Sequence, residues 1–530
     1  MREKHPQGVS REAKLIVLTA GLASLLQMID TSIVNVAIPT MMGNLGATLD
    51  DIGWVVTGYI ISNAIILPIS GWLSARFGRR RYFITSVAVF TFASVACGLA
   101  PNLGVLIFCR IIQGAAGGAI LPTSQALIQE AFPGQIGLGS ALYGMIVIIG
   151  PTIGPPLGGY LTDHFGWRMI FNINLPIGLL AVFLSALYVT DHKVEKEHAH
   201  IHDRMKSAPV DTVGLTLLVV GMGCLQYVLE KGQHDDWFSS HLILTLTIGA
   251  AICLPTFVWW EWNHKHPIVD IKLYKSFALI NGTITLATVG AILYVLIFII
   301  PIFASTILNL DARQTGNLFT PAALASGLLM PFIGKMIHKH DPRWFMLWGI
   351  LSTEIALFMM SGFTSQTGYW NLFWPLMIRG LGMSALFIPI NAVVLGEFTG
   401  PALGQAAGIM NLARQLGGSF GIAIFSTLFS HGQDVAYENM RRYVTPLHQS
   451  FTQWARGAQA IHYRFASEVG MSTQYNLVAK EAFYRVKKQA FVISFDNLCW
   501  YLLITFALAA IPIFLLKKPK HLTHASSAGD

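Results

Sequence analysis

Charge is what this chain has least of. Asp, Glu, Lys and Arg make up 12% of its 530 residues, about half the share of an ordinary soluble domain. That deficit excludes a soluble enzyme or binding module of usual composition. The 53% of residues that are hydrophobic fall into runs of about 20, the length a helix needs to cross a bilayer. Cysteine is scarce as well. Cys97, Cys109, Cys224, Cys253 and Cys499 all lie inside apolar runs, so neither a disulfide framework nor a metal site is expected. No GxxxxGK[ST] loop occurs, which argues against direct drive by ATP. A cleavable signal peptide is not expected either, since the first apolar run is too long and lacks a small-residue cleavage site.

What is present is a series of fourteen candidate spans between residues 15 and 516. They predict an all-α polytopic membrane protein with helices arranged six, two and six. On this reading 1–14 is an N-terminal tail, 15–189 a six-helix bundle and 190–211 a linker. An inserted helix pair occupies 212–260, and 261–430 holds the first five helices of a second bundle. A long polar segment, 431–489, precedes the last helix at 490–516 and a tail at 517–530.

The basic residues orient these spans. Twenty-one of the 35 Lys and Arg fall in the tails and loops of one side, against only Arg168, Lys231 and Arg313 in the short loops of the other. Basic loops stay on the cytoplasmic side, so both termini are expected inside. Segment 431–489 is too long to count in that rule. The pI near 9.2 thus reflects topology and the anionic inner leaflet of the lipid bilayer, and no nucleic acid partner is expected. Three basic residues remain within spans, Arg110, Arg379 and Arg414, and two acids lie deep in them, Asp30 and Glu354.

Ionisable groups at that depth are expensive and face protein or water. Asp30 interrupts "QMIDTSIVNVAIPT" (27–40), which also carries Asn35. Arg110 and Gln113 lie one turn apart in "RIIQG" (110–114), and Arg414 sits in "NLARQLGGSFG" (411–421). Arg379, whose span has only begun, can instead snorkel to the surface. Glu354 fits a proton site and a structural hydrogen bond equally well. In "GWLSARFGRRR" (71–81), Gly71 and Gly78 allow a tight turn while Arg76 and Arg79 anchor it at the inner leaflet. In "GPTIGPPLGG" (150–159), Gly150, Gly154 and Gly158 form a smooth packing strip. Pro151 and Pro155 bend the same helix and suit a gate or hinge. Residues 109–145 and 377–410 resemble each other, running from a basic or amide residue through small residues to Pro122 or Pro389. Such parallel repeats place a substrate cavity between two halves, with Asn391 a further candidate for its lining. "GGSFG", "GLGMSA" and the His-rich "HAHIHD" (198–203) match short site patterns, but lie in spans or a polar loop without the context those patterns require.

Several motifs in order carry a resemblance over nearly the whole chain. "MIDTSIVNVAIPTMMGNLG", "GWLSARFGRRR", "RIIQGAAGGAILP" and "GPTIGPPLGG" resemble those of the fourteen-helix drug:proton antiporters of the major facilitator superfamily, and of EmrB-type multidrug pumps within them. "EKGQHDDWFSS" and "HPIVDIKLYKS" are similar to that subgroup's segments flanking the inserted pair. The resemblance implies alternating access and export of small hydrophobic compounds across the inner membrane. It implies energy from the proton gradient with no cofactor, a periplasmic membrane-fusion adaptor of the EmrA type, and an outer-membrane channel. The family's loop motif has an aspartate where this chain has Ala75, so a latch relying on that acid is not expected.

Together these readings make Asp30 the expected proton carrier, tuned by the positive charge of Arg110, with Glu354 a second candidate. Gln113, Asn35, Arg414 and Asn391 are the expected cavity residues. A transporter of one metabolite or siderophore is the alternative, and a receptor using 431–489 as its binding module is a third.

Overall fold

Backbone groups within a bilayer must be satisfied inside their own segment, which leaves helices as the form for long apolar runs. The computed structural model describes residues 11–132, 135–189, 209–310, 312–337, 339–445, 448–449, 451–457 and 471–515. Among these, helices dominate and no strand occurs. The first bundle comprises α1 (Arg11–Leu45), α2 (Leu49–Phe77), α3 (Arg79–Gly98), α4 (Leu103–Ala131), α5 (Ile136–Phe165), the short α6 (Met169–Asn172) and α7 (Asn174–Tyr188). Helices α6 and α7 form one crossing. Its break falls where Pro176 has no N–H to offer the preceding turn. The inserted pair is α8 (Thr212–Lys231) and α9 (His241–Asn263). The second bundle comprises α10 (Phe277–Ile307), α11 (Ala312–Met336), α12 (Pro342–Met360), α13 (Tyr369–Leu395), α14 (Pro401–Arg441), α15 (Met471–Leu508) and the short α16 (Ala510–Leu515).

Local chemistry sets the ends. Asn102 caps α4 by accepting from the Val105 amide at 3.0 Å, and Asp211 caps α8 by accepting from Gly214 at 2.8 Å. Gly78 joins α2 to α3 at φ +87°, a backbone region that a side chain disfavours.

Thirteen of the crossings are long and apolar enough to be recognised by composition alone. The fourteenth is α14. Its length suffices at 41 residues, but Gln405, Asn411, Arg414 and Gln415 dilute its apolarity. The first three of these are buried against protein and Gln415 is half-buried, so this helix can be polar where a lipid-facing one cannot.

The two bundles repeat one packing plan. In the first, a Cβ at Gly150 or Gly154 would overlap Met28 or Ser32 of α1, and one at Gly158 would lie 2.8 Å from Ile33. In the second, a Cβ at Gly417 would overlap Ala287 of α10, and one at Gly421 would lie 2.7 Å from Ala291. Small residues thus bring the first and fifth helices of each bundle into backbone contact. The inserted pair docks at a seam between bundles. From α8, Tyr227 meets Trp54 of α2 with ring centroids 5.5 Å apart, and Gln226 donates to Ser419 of α14 at 2.7 Å.

The ends of the long polar segment 431–489 are continuations of helices, with α14 running to Arg441 and α15 starting at Met471. Residues 190–208, containing the His-rich tract, and most of both tails lie outside the described residues.

Candidate functional site

Asp30 is fully buried in α1 and saturated with hydrogen bonds. Its Oδ2 accepts from Arg110 Nη1 of α4 at 2.7 Å. Its Oδ1 accepts from Gln113 Nε2 at 2.9 Å and from Asn174 Nδ2 of α7 at 2.8 Å. Arg110 is equally enclosed. Its Nε donates to the Val55 carbonyl of α2 at 3.1 Å, its Nη1 also donates to Gln113 Oε1 at 2.8 Å, and its guanidinium lies 4.2 Å from the Tyr59 ring centroid. Asn174 also donates to Ser94 of α3 at 2.9 Å. One ion pair therefore ties together α1, α2, α3, α4 and α7. Asn174 and Ser94 escaped notice in the sequence, because an amide and a hydroxyl in apolar helices carry no motif.

A cavity of about 470 Å³ lies beside this network, between the two bundles. Its walls come from Ser32, Asn35 and Val36 of α1, from Pro151, Thr152 and Pro155 of α5, and from apolar residues of α10 and α11. Helix α5 thus divides its motif between two faces. The glycines hold α1, and two of the prolines line the cavity. These wall positions fall in the halves of α1, α5 and α10 remote from the arginine-rich turn after α2. Asn35 reaches the cavity. Gln113 does not, being held by Asp30 and Arg110.

Arg414 and Asn391 belong to a second polar cluster, on the arginine-rich side of the cavity. Gln125 of α4 donates to Asn391 Oδ1 at 2.7 Å and accepts from Asn411 Nδ2 at 2.7 Å. Tyr143 of α5 donates to Asn411 Oδ1 at 3.0 Å. Arg414 donates to Tyr294 at 3.1 Å and to Asn411 at 3.4 Å. These bonds join first-bundle to second-bundle side chains and, with close backbone contacts, shut that half of the interface. Arg79 reinforces the closure by pairing with Glu130 of α4 and donating to the Gly400 carbonyl, at the α13–α14 turn, at 3.3 Å. Glu130 therefore partners the loop arginine where Ala75 offers no carboxylate. Arg76 lies 5.3 Å from the Trp72 ring centroid.

Two residues sit differently from expectation. Arg379 does not snorkel. It is 6% exposed at the floor of the cavity, because α13 begins at Tyr369, about 15 Å of helix before it. Glu354 joins neither Asp30 nor the cavity. It borders the outward-facing stripe Leu351, Ile355 and Phe358 of α12, and its Oε1 is buried without a hydrogen bond.

Two six-helix bundles around a central cavity that is closed on one side, with a buried ion pair inside the first bundle, define a polytopic membrane transporter rather than an enzyme. The chain belongs to the Major Facilitator Superfamily, whose family model matches residues 20–422. It is similar to the fatty acid resistance protein FarB of Neisseria gonorrhoeae, at 33% identity over 81% of this chain and 83% of that protein. It is also similar to the multidrug export protein EmrB of Haemophilus influenzae, at 31% identity over 95% and 96%. The solved structure of the proton:xylose symporter XylE superposes with a TM-score of 0.60 at 15% identity, covering 98% of this chain and all of that one, and so shares the fold.

Proposed function

We propose that the protein is a secondary transporter that exports lipophilic compounds across the inner membrane in exchange for protons, by alternating access of its two bundles. The carrying observation is the position of Asp30. It is bound by Arg110 on one side of α1, while Ser32 and Asn35 of the same helix line the cavity. A proton on Asp30 removes the charge that holds Arg110, loosening α1 from α4 and α7. Because α1 is also a cavity wall, that loosening reaches the bound compound. With the arginine-rich face in the cytoplasm, the closure through Gln125, Asn391 and Asn411 is the inner gate and this conformation faces outward. The protein's EmrB relatives are multidrug export proteins, which supports a broad lipophilic substrate range.

The test is substrate-evoked proton movement in proteoliposomes, with a panel of lipophilic acids, cations and neutral dyes. Wild type is expected to move protons with several compounds. Asp30→Asn is expected to lose at least about 100-fold in rate, the scale of a missing proton-transfer group, while Glu354→Gln retains it. Full coupled transport in Asp30→Asn would reduce Asp30 to a structural link. Loss in Glu354→Gln alone would move coupling to the second bundle.

The same reading includes a periplasmic adaptor of the membrane-fusion type, leading to an outer-membrane channel. The helical extensions 431–441 and 471–489 are suited to presenting that adaptor's docking surface. Shortening both by two turns is expected to abolish co-purification with the adaptor while leaving proteoliposome transport intact. Retained co-purification would place docking elsewhere.

A further inference from the structure

Three arginines lie deep within the membrane-spanning helices, away from their ends, and two of them are bonded to protein groups. Arg110 has Asp30, Gln113 and the Val55 carbonyl, and Arg414 has Tyr294 and Asn411. Arg379 has none. Its Nε and Nη1 are buried without a hydrogen-bond partner, and no ion pair reaches it among the described residues. It is also the one charged side chain among the described residues that line the cavity. A guanidinium needs acceptors for five N–H groups, and an uncompensated buried charge is strongly destabilising. Something that enters the cavity must supply the acceptors.

The internal repeat says what kind of group is missing. Arg110 and Arg379 stand on the fourth helices of the two bundles, 12 and 10 residues before Pro122 and Pro389 respectively. In the first bundle the partner acid comes from the first helix, as Asp30. The first helix of the second bundle, α10, contains no Asp or Glu, and neither does α11 or α13. The second-bundle helices that wall the cavity therefore supply no carboxylate to Arg379, and neither Glu354 of α12 nor Asp496 of α15 pairs with it.

We propose that Arg379 is the anion subsite of the transport cavity, and that its ligands are amphiphiles carrying a single carboxylate on an apolar body. The carboxylate takes the planar fork of Arg379, a geometry that admits two parallel hydrogen bonds. The apolar body lies against Val147, Leu293, Ile297, Pro301 and Phe319. The volume of about 470 Å³ falls in the range of small-molecule sites, roughly 300–1,000 Å³. This inference rests on the reading of the cavity as the transport site.

Binding of three probes of matched shape tests it, using the full chain in lipid nanodiscs with empty discs as the blank. The probes are 4-octylbenzoate, neutral 4-octylbenzamide and cationic 4-octylbenzylammonium. Wild type is expected to prefer the benzoate over the amide by about ten- to a hundredfold, the range for hydrogen bonds to a charged group. Arg379→Gln is expected to erase that preference with amide affinity unchanged, and Arg379→Lys to keep part of it. A wild type without benzoate preference would overturn the proposal while leaving the cavity assignment standing, with Arg379 simply hydrated. Equal loss of benzoate and amide in Arg379→Gln, with a lowered melting temperature, would overturn it in favour of a structural role. Failure of all three probes to bind would overturn both the subsite and the reading beneath it.

Discussion

Arg110→Leu is expected to lower the unfolding free energy of the protein by about 3–5 kcal/mol, the range for removing one partner of a buried ion pair. The change strands the Asp30 carboxylate with two amide donors, Gln113 and Asn174, and no positive charge. It also empties a space between Tyr59 and Phe171, whose rings flank the guanidinium. The double variant Asp30→Asn, Arg110→Leu removes both charges together. Replacing a buried pair by neutral groups is often close to neutral, so it is expected to recover most of the loss. A thermal-shift double-mutant cycle in detergent reads this as a coupling free energy of at least about 1 kcal/mol. Transport separates the two roles of the pair. The double variant is expected to fold and bind lipophilic probes, yet to move no protons. An unchanged melting temperature in Arg110→Leu alone would show that the ion pair adds no net stability to the resting protein.

Much of this architecture is legible in the sequence because the bilayer imposes a simple rule. Each crossing needs about twenty apolar residues, and the basic loops mark a side. The rule weakens where a helix is surrounded by protein. Helix α14, one of the fourteen candidate spans, carries Asn411 and Arg414 at mid-depth, so its apolarity is diluted, and its glycines fix it against α10. The rule is silent where helices outlast the membrane, as at Arg441 and Met471. Of the candidate residues, Asp30 and Arg110 stand out singly because a charge in an apolar run is conspicuous. Their meeting across 80 positions is not legible, since it depends on how α1 and α4 rotate about their axes. The same limit explains Arg379 and Glu354. Depth is read along a helix, but exposure is read around it. Arg379 faces the cavity, whereas Glu354 lies at the edge of an outward stripe. Gln125, Asn391 and Asn411 pose the opposite problem, because neutral amides are unremarkable until a partner from the other bundle lies 2.7 Å away.

Gly71→Val is expected to open the side that is closed in this structure. The spacing of Gly71 and Gly78 suggested one turn made by both, but their tasks differ. Gly78 makes the turn, whereas Gly71 lies within α2 where that helix crosses α14. A Cβ there would stand 2.5 Å from the Gln405 nitrogen and 2.7 Å from Gln405 Cα and the Gly404 carbonyl carbon. All three are backbone atoms of a helix, so no rotamer change relieves the overlap and the bundles must part. The crossing is tight over a further turn, since a Cβ at Gly408 would lie 2.6 Å from the Leu67 carbonyl oxygen. Forcing extra atoms into such a contact costs about 1–3 kcal/mol, which shifts a two-state population by about five- to a hundredfold. The shift separates Gln125 from Asn391 and Asn411 and takes Arg79 from the Gly400 carbonyl. In a cysteine-free background, a cysteine at Ala407 is expected to react faster with a membrane-impermeant maleimide applied from the arginine-rich face. Gly43→Val is the control, because nothing lies within 4 Å of the Cβ it would gain. Equal labelling in both variants would show that the α2–α14 crossing is not what holds this side shut, leaving the amide cluster and Arg79 to do so.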